Sequence, residues 1–424
     1  MQRQERWCNL MRVAAYSGVV VATLAAFSIQ PVQAQEPIRI GLGMALTGPL
    51  AANGKSALLG MKIWEEDINK QGGLIGRPVK LVYHDDQSNP STVPGLYAKL
   101  LDIDKVDVIV SGYATNMIAP ALPVAMQRGK VFPALFGTGV NSEFKYNKYF
   151  AMIPTGPDPK PAFTKPFFEV VVAQSPKPES ISLMAADAEF GRNVCDGARQ
   201  NAKAAGLKIV YDKTYPPTTT DFAPIIRAIQ ATNPDVAVFC SYPLDSVGLI
   251  RAINEIGFKA KIVGGAMVGI QATAIKRQLG PLLNGITNYE TWVPAKTMQY
   301  PGVNEFLEKY QARAGAEGVD PLGYYLGTWG YAYAQLIEQA ISGANSVNDD
   351  KLADYFRTAT FKTIMGDVKF GADGEWTESR FIAVQYHGIK GDALDQFRGM
   401  NVQTIVGPKR FETGTLVYPY EKAR

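Results

Sequence analysis

The chain has 424 residues, 46% hydrophobic and 19% charged, with a formal net charge of +4. That near-balance, without any Lys/Arg cluster, speaks against electrostatic capture of nucleic acid. Only two histidines are present, His84 and His387, which sets aside His-rich metal sites and Ser-His-Asp chemistry.

The N-terminus carries Arg3, Arg6 and Arg12 against one acid, Glu5. An apolar run from Val13 to Ile29 follows, then Val32-Gln33-Ala34. A basic start, a short greasy middle and a small-x-small end describe a cleaved secretory signal over residues 1–34. The alternative is a membrane anchor, but the run is somewhat short for the ~20 residues a bilayer core needs. Cys8 precedes the apolar run and is removed with it. A soluble chain is expected from near Gln35. Removing 34 of the 424 residues, with three Arg and one Glu among them, lowers the net charge from +4 to +2. A chain of that length exceeds one compact core, so two lobes are the natural expectation.

Two cysteines remain, Cys195 and Cys240. An oxidising compartment permits a bridge between them. Spacing alone cannot fix one, and a buried, unpaired thiol is the expectation for each.

Ile38 to Met44 alternates as a strand and Thr47-Gly48-Pro49-Leu50 breaks it. A helix spans about 54–69, with Ala57, Leu58, Met61, Ile63, Trp64 and Ile68 on its apolar face. Val79–Tyr83 is a strand, His84-Asp85-Asp86 a helix-capping turn rather than a metal site, and Pro94–Leu101 a helix. Strands at Val106–Val110 and Phe132–Phe136 flank a helix after Met117. Gly41, Gly43 and Gly48 are spaced GxGxxxxG, which is a strand-to-helix turn and not a dinucleotide fingerprint.

A polar, Pro-rich interval from Pro154 to Pro161 precedes a second unit of similar build. Its strands are Ile181–Ala185, Lys208–Tyr211, Val236–Cys240 and Lys261–Gly264. Helices over 190–205, 222–232 and 246–256 alternate with them. Strand and helix alternation with short breaks predicts parallel sheets with right-handed crossovers. Further on, helices are predicted at 303–314, 327–342 and 351–358. Strands at Met365–Phe370 and Phe381–His387 are expected to form a hairpin about Gly371-Ala372-Asp373-Gly374.

Open parallel sheets bind ligands beyond the carboxyl ends of their strands. In the first unit those ends read Gly112-Tyr113-Ala114-Thr115-Asn116 and Phe136-Gly137-Thr138-Gly139. Small residues bring backbone N–H groups close to a ligand, and hydroxyls with helix N-termini favour a carboxylate. In the second unit they read Asp187 to Gly191 and Ser241-Tyr242-Pro243, which offer aromatic walls.

These features together resemble the branched-chain amino-acid-binding proteins of ABC importers, the type I periplasmic binding fold. The matching motifs are Leu46-Thr47-Gly48-Pro49-Leu50-Ala51 with Gly54, and Asp67-Ile68-Asn69 with Gly72-Gly73-Leu74-Ile75-Gly76-Arg77-Pro78-Val79. Asp85-Asp86 with the turn to Pro90, and Asp187 with Phe190-Gly191, also match. The resemblance implies an α/β fold of two doubly wound lobes joined by a three-strand hinge. One lobe would hold 36–156 and 288–366, the other 157–287 and 367–395, with 396–424 packed on the lobes or hinge. It implies a monomeric protein in the periplasm, which captures a small molecule and delivers it to an ABC permease. No catalysis, cofactor or metal is implied.

By the same resemblance, Ala114, Thr115, Phe136, Gly137 and Thr138 fall where the ligand's carboxylate is held. Asn53 stands where an aromatic wall is usual, and Phe190 and Tyr242 are the second-lobe aromatics. Amino-acid binders of the family place an acid after the strand 261–264. Here that stretch reads Gly264-Gly265-Ala266-Met267-Val268, with Met267 near the ligand and no acid to meet an ammonium. Asp187, Glu189 and Asp245 are the candidates to substitute. Otherwise Phe136, Phe190, Tyr242 and Tyr113 suit a flat or apolar carboxylate such as an aromatic acid. A component delivering ligand to a sensor, a secreted enzyme and a structural surface protein are the other classes. An enzyme would need a nucleophile-base pair in the cleft. A surface protein would show no ligand-dependent stabilisation.

Overall fold

The computed structural model describes residues 35–424. The secretory-signal reading of residues 1–34 lies outside the described residues.

The first lobe opens with β1 (Ile38–Met44), α1 (Ala51–Lys70), β2 (Val79–Asp85), α2 (Val93–Asp102), β3 (Val108–Ile109), α3 (Thr115–Gln127), β4 (Phe132–Ala134), α4 (Asn141–Phe144) and β5 (Tyr149–Ala151). β2, β1 and β3 pair in parallel, as do β4 and β5. A bond from Ser111 N to Pro133 O at 3.0 Å and a Tyr113–Phe136 bridge join the two sets. The Asp85 carboxylate organises the rim by accepting from Leu46 N, Thr47 N, the Thr47 hydroxyl and Gln87 N. Burial opposes its ionisation, but those four bonds outweigh burial and hold it below the usual carboxylate value.

The second lobe follows with α5 (Pro159–Val172), β6 (Ser180–Ala186), α6 (Glu189–Ala204), β7 (Lys208–Tyr215), α7 (Ala223–Gln230), β8 (Val236–Ser241), α8 (Pro243–Ile256), β9 (Ile262–Met267), α9 (Thr273–Leu279) and β10 (Thr287–Glu290). The chain then returns to the first lobe for α10 (Val303–Glu317), α11 (Leu326–Ala344), α12 (Asp349–Thr358), β11 (Phe361–Thr363) and β12 (Gly366–Val368). It ends in the second with β13 (Ile382–Tyr386) and β14 (Gln403–Gly407). The second sheet has the order β14-β13-β10-β9-β8-β6-β7, parallel except where β13 meets its two neighbours.

The returning helices complete the first core. α11 ties to the strand ends through the Tyr333 hydroxyl, which donates to Pro133 O at 2.6 Å and accepts from Ser111 N at 3.1 Å. α1 and α11 meet almost backbone to backbone. A Cβ on Gly330 would sit 2.2 Å from Ala57 O, and one on Gly60 would sit 2.2 Å from Gly327 O, so only glycine permits this approach.

Three segments cross between the lobes, after β5, after β10 and before β13. They lie side by side: Arg380 N donates to Pro154 O at 2.9 Å, and Glu290 pairs with Ile382. The expected crossing at Pro154–Pro161 is shorter than its Pro-rich text suggests. Pro159 opens α5 at its first position, where a missing N–H costs nothing.

Two sequence expectations are corrected. The strands near 365–370 and 381–387 do not make one hairpin. The turn forms, with Gly371 N bonded to Glu375 O at 2.7 Å and a Phe370–Trp376 bridge. Beyond it the chain diverges: β12 pairs with β11, while β13 joins the second sheet after the crossing. The cysteines are not free thiols. Cys195 on α6 and Cys240 on β8 form a disulfide with Cα atoms 5.9 Å apart. α6 lies over β6 and β8, which brings the two within bridging reach, a proximity that the spacing does not encode. Residues 396–424 contribute β14 to the second sheet. Among the described residues no helix is long and apolar enough to cross a membrane.

Candidate functional site

The carboxyl ends of both sheets converge on a cavity between the lobes. From the first lobe come Tyr113, Ala114, Thr115, Phe136, Thr138 and Tyr325; from the second, Phe163, Phe190, Tyr242, Val268 and Tyr289; Ile153 sits on a crossing. Seven of these twelve are aromatic and none carries a charge.

Local structure sets each wall. β3 ends against β1 so closely that a Cβ on Gly112 would lie 1.9 Å from Gly43 O. The chain then turns at Ala114, which has φ of 87°, a conformation that costs a non-glycine residue of order 1–3 kcal/mol and clusters at functional sites. That turn sets the N-terminus of α3 at the cavity, with Thr115 as its first helical residue. The first N–H groups of a helix have no partner within it and carry a partial positive charge. Beside them the Thr115 hydroxyl accepts from Thr138 N at 3.1 Å, and the Thr138 hydroxyl is buried with no partner. An orphaned hydroxyl at a helix N-terminus suits an anionic oxygen.

The opposite walls are phenolic and phenyl. Phe163 packs against Tyr289 (4.5 Å between ring centroids) and Phe190 (5.5 Å), and Phe190 packs against Tyr242 (5.7 Å). Tyr289 and Tyr325, one from each lobe, bring their hydroxyls to 3.3 Å. A second bond joins the lobes: Asn193 Nδ2 on α6 donates to Thr138 O at 3.0 Å. Burial pushes the Tyr113 hydroxyl up to about 12, with its Asn53 hydrogen bond and the Tyr325 hydroxyl acting against that rise. Burial also raises Tyr242, Tyr289 and Tyr325 well above the usual phenol value, so all four are neutral hydroxyls at physiological pH.

Of the ten residues singled out in the sequence, seven line this cavity: Tyr113, Ala114, Thr115, Phe136, Thr138, Phe190 and Tyr242. Three do not. Asn53 is buried on α1 behind the wall, where its Nδ2 donates to the Tyr113 hydroxyl at 2.9 Å. Gly137 faces Ile118 and Val140. Met267 is the last residue of β9 and bonds through its N–H to Asn288; Val268, one residue on, supplies the wall. Sequence reasoning missed Ile153, Phe163, Val268, Tyr289 and Tyr325. Phe163 and Tyr289 lie on α5 and β10, elements not read from the sequence. The doublet Tyr324-Tyr325 ahead of a predicted helix was the available signal for Tyr325.

None of the three acids proposed to meet an ammonium reaches the cavity. Asp187 and Glu189 face Arg192 at 3.0 and 3.9 Å. Asp245 accepts from the Tyr215 hydroxyl at 2.9 Å and from Tyr242 N at 3.4 Å. The buried Glu290 is also engaged elsewhere, with Lys276 Nζ at 3.3 Å and the Tyr386 hydroxyl at 2.9 Å. His84 bonds to Asp104 at 2.7 Å, away from the cavity.

Residues 37–390 match the family described as periplasmic binding protein. The chain belongs to the periplasmic binding protein family. Among curated relatives this binding protein is 25% identical over 375 residues to Leu/Ile/Val-binding protein homolog 8 of Brucella abortus, covering 83% of this chain and 89% of that one. Its fold matches the branched-chain amino acid transporter substrate binding protein LivJ of Streptococcus pneumoniae, solved with isoleucine. The TM-score is 0.70 at 19% identity, over 82% of this chain and 96% of that one. It matches equally a Rhodopseudomonas palustris ABC-transporter solute binding protein solved with 4-hydroxybenzoate. There the TM-score is 0.70 at 18% identity, over 84% and 95%. The type I fold expected from the sequence is therefore the fold of this binding protein.

Proposed function

We propose that this binding protein is the ligand-capturing component of an ABC importer, and that its ligand is a small aromatic or apolar carboxylate rather than a zwitterionic amino acid. The observation that carries this reading is the cavity wall: seven aromatic side chains, no charged one, and a helix N-terminus beside an orphaned hydroxyl. A carboxylate gains N–H and hydroxyl donors there. An ammonium would be buried unpaired, at a cost of several kcal/mol. The two solved relatives, one holding isoleucine and one 4-hydroxybenzoate, mark the alternatives that the wall chemistry separates.

In this account Ala114, Thr115 and Thr138 hold the carboxylate while Tyr113, Phe136, Phe190 and Tyr242 flank the apolar body. Asn53 fixes Tyr113, Gly137 keeps its loop low, and Met267 backs the Val268 wall. The lobes are 36–156 with 291–366 and 157–290 with 367–395, the expected 287/288 junction moving because β10 (Thr287–Glu290) pairs with β9 and β13, and the second lobe carries 396–424 on β14. The ligand bridges them, shifts an open–closed equilibrium, and the closed form docks as a monomer on a permease from the periplasmic side. No chemistry is performed on the ligand. A thermal-shift screen over amino acids, aromatic acids and amides tests this reading. Stabilisation by benzoate and not by leucine is expected; the reverse pattern would sink it.

A further inference from the structure

The cavity carries more hydrogen-bond donors than the protein pairs. The Tyr325 hydroxyl lies 3.3 Å from that of Tyr289, and Tyr113 lines the same cavity. Asn53 Nδ2 donates into this cluster at Tyr113, at 2.9 Å. Each hydroxyl brings one hydrogen. The one mutual contact, between Tyr289 and Tyr325, consumes one of the three, and Asn53 adds a donor rather than an acceptor. Two O–H groups are left over, that of Tyr113 and one of the Tyr289–Tyr325 pair, in a cavity whose nearby walls are Phe136, Phe163 and Ile153. Across the cleft the Tyr242 hydroxyl accepts from Phe190 N at 3.3 Å, which leaves its own hydrogen free as well. All four phenols are neutral. Buried donors without acceptors are costly, and a ligand oxygen relieves them. The carboxylate already has its place at Thr115 and Thr138, so this surplus calls for a second ligand oxygen.

We propose that the hydroxyl cluster of Tyr113, Tyr325 and Tyr289 reads an oxygen substituent on the ligand's ring, so that the protein selects ring-hydroxylated aromatic carboxylates over unsubstituted ones. This rests on the aromatic-carboxylate reading above. Asn53 is a positioning residue in this account, since it orients Tyr113 without lining the cavity.

Calorimetry with benzoate, 4-methylbenzoate, 3-hydroxybenzoate and 4-hydroxybenzoate tests it, on the native protein and on a Tyr289→Phe/Tyr325→Phe double variant. The native protein should bind at least one hydroxybenzoate about tenfold or more tighter than benzoate and than the size-matched 4-methylbenzoate. In the double variant that ratio should fall to within about threefold, because the hydroxyls that read the substituent are gone, whatever common loss of affinity the missing Tyr289–Tyr325 bond brings to benzoate and hydroxybenzoates together. A lost interlobe bond weakens every ligand alike and leaves the ratio untouched. If the double variant does not fold, each single variant reads the same ratio. The inference is overturned if the native protein shows no hydroxyl preference. It is equally overturned if the variant loses benzoate and hydroxybenzoates in equal measure. Failure of all four acids to bind is a separate result: it overturns the aromatic-carboxylate reading, and this inference with it.

Discussion

Asn193→Ala isolates lobe closure from ligand contact. Asn193 does not line the cavity, yet its Nδ2 donates across the cleft to Thr138 O at 3.0 Å. When the lobes part, water replaces that partner, so the bond favours the closed form alone. A buried neutral hydrogen bond contributes about 1 kcal/mol net. Removing it should shift the open–closed equilibrium by that amount and raise the ligand's Kd about fivefold. Calorimetry with the tightest-binding aromatic acid gives the Kd, and small-angle scattering of the unliganded protein should report a larger radius of gyration for the variant. A folded variant whose Kd stays within twofold of the native value would refute the reasoning, because the bond would then not belong to closure.

Three further outcomes follow from the packing. Gly330→Ala puts a Cβ 2.2 Å from Ala57 O at the α1–α11 contact; helix repacking should cost about 1–3 kcal/mol, read as a lower urea midpoint, and an unchanged midpoint would contradict that contact. Cys195→Ser/Cys240→Ser opens a loop with a sequence separation of 45 and should lower unfolding free energy by about 2–4 kcal/mol, with equal stabilities of the variant and the oxidised native protein counting against the bridge. Burial pushes the Glu375 carboxyl up to about 8, the Asp373 carboxylate adding to the shift and the Thr155 hydroxyl opposing it. The folded state therefore holds a proton that the unfolded state releases between the ordinary glutamate value of 4.5 and about 8, and stability falls as pH rises through that window. Glu375→Gln should flatten the decline in melting temperature between pH 5 and 8; parallel profiles for the two proteins would discount this group.

Regular periodicity made the alternating core legible in the sequence: β1 through α3 and β6 through α8 lie close to where their patterns place them. What escaped depends on partners distant in the chain. β10 is four residues long and β14 five, and each exists because a neighbour in the second sheet pairs with it. α5 hid behind three prolines, Pro159, Pro161 and Pro166, two of which sit in its first turn, where proline is tolerated. In the site, the βα turns of the first lobe could be read because open parallel sheets bind at strand ends. Tyr289 could not, since the chain folds back through a crossing to bring it beside Tyr325. The missing acid at Gly264–Val268 was visible in the sequence. That Asp245 is engaged elsewhere was not, because its partner Tyr215 is set by tertiary packing; Arg192, three residues from Glu189 on α6 and five from Asp187, was a local partner for both.

Titration calorimetry of the folded protein with benzoate and with leucine, at matched ionic strength, is the most direct measurement of the central claim. Saturable one-to-one binding of benzoate with no heat from leucine is the predicted result. Tight leucine binding with none of benzoate would contradict it, since an ammonium would then be held where no charged side chain lines the cavity.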